Sequence, residues 1–316
     1  MPLEINYCDI HVHKLMLGDG IRCEAFRRAL GEIVTPDSVV LDIGAGTGIL
    51  SIFAAQSGAR VVYAVERTKT AELARRIVSE NGLSDRIHVF QDDMASVELP
   101  KKVDVIVSEW LGGYGMDENL LPVIVQARDR WLKPGGSMIP RHVSSWIAPA
   151  YDELLEQDVR FWRQQPYGVN LAAIGDVTSS QLLCCRNNVK EEHLLADAQQ
   201  MWEIDPTSIA YDRATDTFQA ELSFTCRRSG RCNALAAWFE ACLSEGNILS
   251  NRPSEQYTHW GRWIFPIGAS LDVDEGSAID VSFQVVPGGA GQSQAVWQVS
   301  AGDYSFASED FTSLTR

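Results

Sequence analysis

Basic residues are scarce in this sequence: 27 Lys and Arg stand against 42 Asp and Glu, a formal charge of −15, with no cationic run to offset it. Such a field repels polyanions, so direct nucleic-acid binding is not expected, and a basic partner is the one the charge favours. CxxC pairs are missing as well. The seven cysteines, Cys8, Cys23, Cys184, Cys185, Cys226, Cys232 and Cys242, are odd in number and scattered, a pattern that fits reduced thiols in the cytoplasm, with no metal site expected. There is neither a charged segment leading into an apolar leader core nor an apolar run of bilayer length, so secretion and membrane insertion are not expected. Internal repeats and low-complexity tracts are absent too.

What is there is a chain of 316 residues, 45% of them hydrophobic, enough for one large core or two moderate ones. Its two halves are written differently. Between Val39 and Pro140, short apolar runs at Val39–Ile43, Val61–Val65, Ile87–Gln91, Val103–Ser108 and Ser137–Ile139 alternate with helix-like segments, the pattern of a parallel sheet with crossover helices. Pro134-Gly135-Gly136 reads as the stop of a helix through Ala127 and Trp131. Beyond about Ser144 apolar and polar residues alternate strictly, as in Phe218, Ala220, Leu222, Phe224 and Cys226, and again in Ile279, Val281, Phe283 and Val285. That half predicts an antiparallel β-barrel or sandwich. The expected boundaries are 1–140 and 141–316, with a helical arm at about 152–195.

The strongest local signal runs from Val40 to Gly48, where an apolar strand enters Gly44-Ala45-Gly46-Thr47-Gly48 and then a helix. A dinucleotide reader needs GxGxxG, but Ile49 stands where its third small residue belongs. S-adenosylmethionine has no pyrophosphate to dock, so a glycine turn that only clears space suffices. Glu66, at the end of the second strand, is placed to accept from both ribose hydroxyls, and Asp92, Asp93 and Met94 end the third strand, at the usual edge for an adenine ring. Asp42, Gly44, Gly46, Glu66, Asp93 and Met94 are therefore candidate cofactor residues.

After the fourth strand comes Ser108-Glu109-Trp110, then a glycine-rich stretch to Asp117 and Glu118. Such a loop can fold back and bring Glu109 and Glu118 to one point, where two carboxylates repel unless a cation lies between them. A guanidinium, with five donors in a planar fork, matches that arrangement. The residues alone leave two solvated surface acids as an equal reading.

Together these features resemble the protein arginine methyltransferase family over nearly the whole chain. Ser108-Glu109-Trp110 with Glu118 looks like its double-glutamate loop, and Thr258-His259-Trp260 like its Thr-His-Trp loop. Tyr7, His13, Met16, Leu17, Asp19 and Arg22 resemble its first helix, and Ala127-Arg128-Asp129 with Trp131 to Gly136 also matches. The resemblance implies a Rossmann-like domain joined to a β-barrel, an arm that clasps a second subunit in a homodimer, and transfer of methyl groups to arginine in a basic protein or peptide, monomethyl and then asymmetric dimethyl. It further implies Arg22 on the cofactor carboxylate, Glu66 on the ribose, Glu109 and Glu118 on the arginine, a His259–Asp19 dyad, and Tyr7 and Met16 lining the transfer space. Taken singly, Met16 is a core residue, His259 a satisfied barrel histidine and Tyr7 a lid aromatic. Asp117 stands where asymmetric dimethylating members carry an aromatic or His, Leu120 where many carry Met, and Ala95 where an acid contacts adenine. Gly18 and Gly20 weaken the first helix. A methyltransferase for a free guanidine or amine metabolite, and an inactive cofactor-binding scaffold, are the alternatives.

Overall fold

The computed structural model describes residues 9–186, 188–288 and 293–308. Two helices, α1 (Ile10–Gly18) and α2 (Gly20–Ile33), open the described chain, where the resemblance implies one. Asp19 separates them: its extended backbone ends α1 and its carboxylate caps α2 by accepting the Arg22 N–H. The flanking Gly18 and Gly20 weaken helix continuity there, and Asp is a favoured N-cap.

A parallel sheet follows. It is built from β1 (Val39–Ile43), β2 (Val61–Val65), β3 (Ile87–Phe90), β4 (Val103–Val107) and β5 (Leu132–Ile139), with α3 (Ile49–Gln56), α4 (Thr70–Glu80) and α5 (Leu121–Trp131) as crossovers. The strand order is β3-β2-β1-β4-β5. All of β1 is buried, which is why its sequence is a continuous apolar run broken only by Asp42. Helix α5 ends at Trp131, ahead of the Pro134-Gly135-Gly136 stop read from the sequence, because Leu132 is already extended and donates back to Arg128 O. Pro134 to Gly136 lie within β5, where the register against β4 slips between Val103 and Val105 and Gly135 takes a φ of 74°. A residue without an N–H and one tolerant of positive φ suit such a bulge better than a regular ladder.

The second half starts after Pro140 with β6 (His142–Ala150) and continues through α6 (Glu153–Arg163), α7 (Ala172–Thr178), β7 (Leu183–Arg186), β8 (Gln199–Ile204), α8 (Tyr211–Thr215), β9 (Phe218–Thr225), β10 (Gly230–Ser244), β11 (Asn247–Ser250), β12 (Arg262–Val273), β13 (Ala278–Pro287), β14 (Ser293–Ala301) and β15 (Tyr304–Ala307). Its strands form two antiparallel sheets, β7-β12-β10-β6-β8 with β11 on β10, and β15-β14-β13-β9. The alternating stretches read from the sequence are β9 and β13, paired from Phe218 opposite Val285 to Thr225 opposite Ala278. Phe265 of β12 meets Phe283 and Trp297 of the other sheet edge-on, at 4.9 and 5.2 Å between ring centres; such aromatic pairs hold the sheets together. The 152–195 segment is less helical than its composition suggests, since β7 adds an edge strand to β12.

Candidate active site

The sheet order reverses between β1 and β4, and the crevice at their carboxyl ends is where an open α/β sheet binds ligands. Ser108 closes the floor of that crevice: its hydroxyl donates to Ile43 O at 2.8 Å, joining the end of β4 to the end of β1. Above β1 the turn Gly44-Ala45-Gly46-Thr47-Gly48 takes φ values of 70°, 53° and 83° at its three glycines, a conformation that side chains resist. Glu66 is buried beside it. One carboxylate oxygen accepts the Gly46 N–H at 2.9 Å and the other the Thr68 N–H at 2.8 Å, so each keeps acceptor capacity for a further donor. His13 of α1 covers the turn; a Cβ at Gly46 would lie 3.1 Å from its imidazole carbon.

Asp42 sits under this turn, with no solvent exposure. It accepts the Ser51 hydroxyl at 2.6 Å, while its other oxygen is buried without a partner among the described residues. Its hydrogen-bond partner is thus a side chain of α3, whereas the sequence reading grouped it with the cofactor residues. Burial, opposed by the Ser51 hydrogen bonds, pushes its pKa up to about 6. A carboxyl whose folded pKa lies above its unfolded value of 3.8 binds an extra proton in the native state between about pH 4 and 6, so its contribution to stability falls as pH rises through that window. Relative to wild type, Asp42→Asn is expected to gain on the order of 2–3 kcal/mol between pH 4 and pH 7, measured by urea unfolding at each pH. A difference that does not vary with pH would contradict the assignment.

Asp93 and Met94 part company: Met94 is buried, but Asp93 is exposed and its carboxylate accepts the Ala95 N–H of its own turn at 2.9 Å. Met16 is half-buried in α1. Tyr7 lies outside the described residues.

Asp19, Arg22, Glu109 and His259 come together from three distant parts of the chain. Asp19 uses one oxygen for the cap of α2 and the other for His259, accepting its backbone N–H at 2.9 Å and meeting its Nδ1 at 2.8 Å. A carboxylate can only accept, so Nδ1 carries the hydrogen and Nε2 is left to take up a proton. Burial alone would raise the Asp19 pKa, but the His259 side chain and two backbone N–H groups outweigh it and hold the carboxyl below its ordinary range. One turn on, the buried Arg22 donates Nε and Nη2 to a single oxygen of Glu109, at 3.2 and 2.9 Å. Burial opposes the charge on Arg22, and Glu109 more than restores it. Thus the carboxylate expected to receive a substrate arginine holds one of the protein's own.

Glu118 is half-buried at the far end of the same loop. Asp117 fixes that loop by accepting the N–H groups of Gly113 and Tyr114 at 3.0 and 3.1 Å. Its carboxylate fills the space where a Cβ at Gly112 would go, 2.3 Å away, and the Trp263 indole fills that of Gly113, 1.7 Å away. This accounts for two successive glycines. Tyr114 plunges into the antiparallel half, with its ring edge-on to Trp263, Phe265 and Phe283 and its carbonyl accepting the Ser145 hydroxyl. Trp263, Tyr114 and Asn251, which also touches the loop, carry no motif and were not among the expected site residues.

No group of His, Cys, Asp and Glu among the described residues is arranged to hold a metal ion. The chain matches two family profiles, "Methyltransferase domain" over residues 40–136 and "Arginine methyltransferase oligomerization subdomain" over residues 143–300. It is 32% identical to protein arginine N-methyltransferase 6 of Danio rerio, over 89% of this chain and 83% of that protein. It is 35% identical to protein arginine N-methyltransferase PRMT10 of Oryza sativa subsp. japonica, over 89% and 82%. Among solved structures it is similar to the Trypanosoma brucei PRMT1 enzyme-prozyme heterotetrameric complex with AdoHcy, with a TM-score of 0.84, 25% identity, and coverage of 95% of this chain and 99% of that one. Arabidopsis thaliana protein arginine methyltransferase 10 gives a TM-score of 0.80 at 25% identity, over 95% and 98%. With two relatives above 30% identity matched over more than four-fifths of their length, the chain belongs to the protein arginine N-methyltransferase family.

Proposed function

We propose that this crevice transfers methyl groups from S-adenosylmethionine to the guanidinium nitrogens of arginine in basic protein or peptide chains, giving the monomethyl and then the asymmetric dimethyl product. One observation carries the reading: Glu109, at the switch point of the sheet, already binds a guanidinium through two hydrogen bonds. S-adenosylmethionine supplies an electrophilic methyl group on a sulfonium. The donor set fits that cofactor: a glycine turn whose positive φ values side chains resist, an acid at Glu66 with acceptor capacity to spare, and a buried cation at Arg22 for a carboxylate.

Glu109 and Glu118 then draw the positive charge of the substrate guanidinium away from one nitrogen, which gains the lone-pair character a methyl acceptor needs. His259, oriented through Nδ1 by Asp19, takes up the proton released afterwards. His13 and Glu66 flank Gly46 of the glycine turn, with Met94 buried beyond the third strand. The asymmetric product rests on the resemblance carried by Met16. A peptide rich in Gly and Arg, offered with an excess of free arginine, tests the substrate class. Methylation of the peptide, undiminished by the amino acid and ending in two methyls on one nitrogen, is expected; equal competition by free arginine would move the assignment to a metabolite enzyme.

The reading includes a homodimer through the arm. Helices α6 and α7 and the turn between them present Phe161, Tyr167, Val169 and Ile174 to solvent, Tyr167 with 98% of its surface exposed, an apolar area that a partner subunit would cover. Light scattering at micromolar concentration is expected to give twice the chain mass; a monomer there would remove the arm from this role. A cytoplasmic location belongs to the same reading, in keeping with free thiols at Cys23, Cys226, Cys232 and Cys242.

A further inference from the structure

Asn251 follows β11 and is almost wholly buried, at 1% exposure. Its amide joins three segments. Oδ1 accepts the Phe239 N–H of β10 at 2.9 Å, and Nδ2 donates to Gly113 O at 2.7 Å and to Gly261 O at 2.8 Å. The chemistry of those partners fixes the amide's orientation, because a backbone N–H needs an oxygen and two carbonyls need the NH2. Both donors and one acceptor site are used directly, as a buried amide requires.

The partners are what make this more than packing. Gly113 lies in the loop whose ends are Glu109 and Glu118. Gly261 closes the turn that carries His259, donating its N–H to Thr258 O at 3.0 Å. The loop belongs to the parallel half, the turn to the antiparallel half, and one NH2 group ties them. The residues beyond Asn251 are themselves held: buried Arg262 donates Nη2 to the carbonyls of Arg252 and Glu255 at 2.9 and 2.7 Å. Asn251 is thus anchored to β10 through Phe239, and its two donors couple the loop to the turn. A bond to a backbone carbonyl constrains position without touching any reacting group.

We infer that Asn251 is a positioning residue for methyl transfer, setting the placement of the Glu109–Glu118 loop relative to the His259–Asp19 dyad. The inference rests on the methyl-transfer reading above. Group transfer is sensitive to such placement, since a displacement of about 1 Å is enough to cost about 100-fold in rate.

The test uses the full chain, a Gly/Arg-rich peptide and saturating S-adenosylmethionine. Asn251→Asp keeps the shape but turns one acceptor oxygen toward both carbonyls in place of the NH2; kcat is expected to fall on the order of 100-fold, with the peptide KM and the calorimetric affinity for S-adenosylhomocysteine nearly unchanged. Asn251→Ser retains one donor and is expected to fall in between, and it carries the test alone if the aspartate variant is not recovered folded. The decisive readout is a double-mutant cycle with His259→Asn. If Asn251 acts through the relative placement of loop and dyad, its effect shrinks severalfold once the imidazole is gone. Full multiplication of the two losses, a kcat within twofold of wild type, or a loss confined to cofactor affinity would each overturn the inference. An inactive wild-type chain would instead defeat the methyl-transfer reading itself, so the two failures are distinguishable.

Discussion

Replacing Glu109 by glutamine is expected to lower kcat/KM for peptide methylation by about 100- to 1,000-fold, the range seen when one preorganised electrostatic partner is removed from an active site. The substitution preserves volume and one acceptor oxygen, which can keep the Leu111 N–H bond of the loop while the charge that polarises the guanidinium is lost. Arg22 registers the same change. Its guanidinium is buried, with Glu109 as its ion-pair partner, side chains 6% and 9% exposed, and a buried cation deprived of its partner is costly. Urea unfolding of Glu109→Gln should therefore reveal lost stability as well. Cofactor binding is the control: calorimetry with S-adenosylhomocysteine should still detect an interaction through Glu66 and the glycine turn. Undiminished activity in a variant that binds the cofactor would remove Glu109 from the chemistry.

Asp19→Asn separates two roles that one carboxylate performs. As N-cap of α2 it accepts the Arg22 N–H, and asparagine serves that position about as well. As partner of His259 it must accept from Nδ1, and asparagine neither carries the charge nor forces the tautomer that leaves Nε2 free to take a proton. The expected outcome is a loss of about 100- to 10,000-fold in kcat, the span attributed to general acid–base groups, with little change from the cap itself. Alanine at the same position should add a further penalty of about 1 kcal/mol in stability by removing the cap. Equal activity of the Asp19→Asn variant and the wild-type chain from acid to alkaline pH would mean that the dyad is structural. At acid pH the wild type has a further signature: a carboxyl held below its unfolded value of 3.8 contributes stability above that pH and loses it as pH falls through the folded value.

The parallel sheet was legible because β1, β2 and β4 are largely buried runs of mostly apolar residues, and β1 and β2 begin and end where the pattern says. The bulge in β5 was not, because Pro134-Gly135-Gly136 is as good a helix stop as it is a strand bulge, and only the pairing with β4 decides. Glu66, Asp19, Arg22, Glu109 and His259 were visible through motif order. What the sequence hides is which of them touch: that Arg22 of α2 rests on Glu109, 87 residues away, is a tertiary fact. Asp42 is the converse case. A strand-end acid beside a glycine turn looks like a ligand contact, but the pleat turns it inward to Ser51. Asn251 and Trp263 reach the site from the other half of the chain, Asn251 across 138 residues to Gly113, and no local spacing announces a contact of that range.

The central claim, that this crevice methylates arginine, is tested most directly by incubating the chain with methyl-deuterated S-adenosylmethionine and a Gly/Arg-rich peptide, then locating the label by fragmentation. Label on a guanidinium nitrogen of arginine, absent when Glu109→Gln is used, is the expected result. A chain that binds S-adenosylhomocysteine yet leaves the peptide unlabelled, or labels it anywhere other than arginine, would contradict the account.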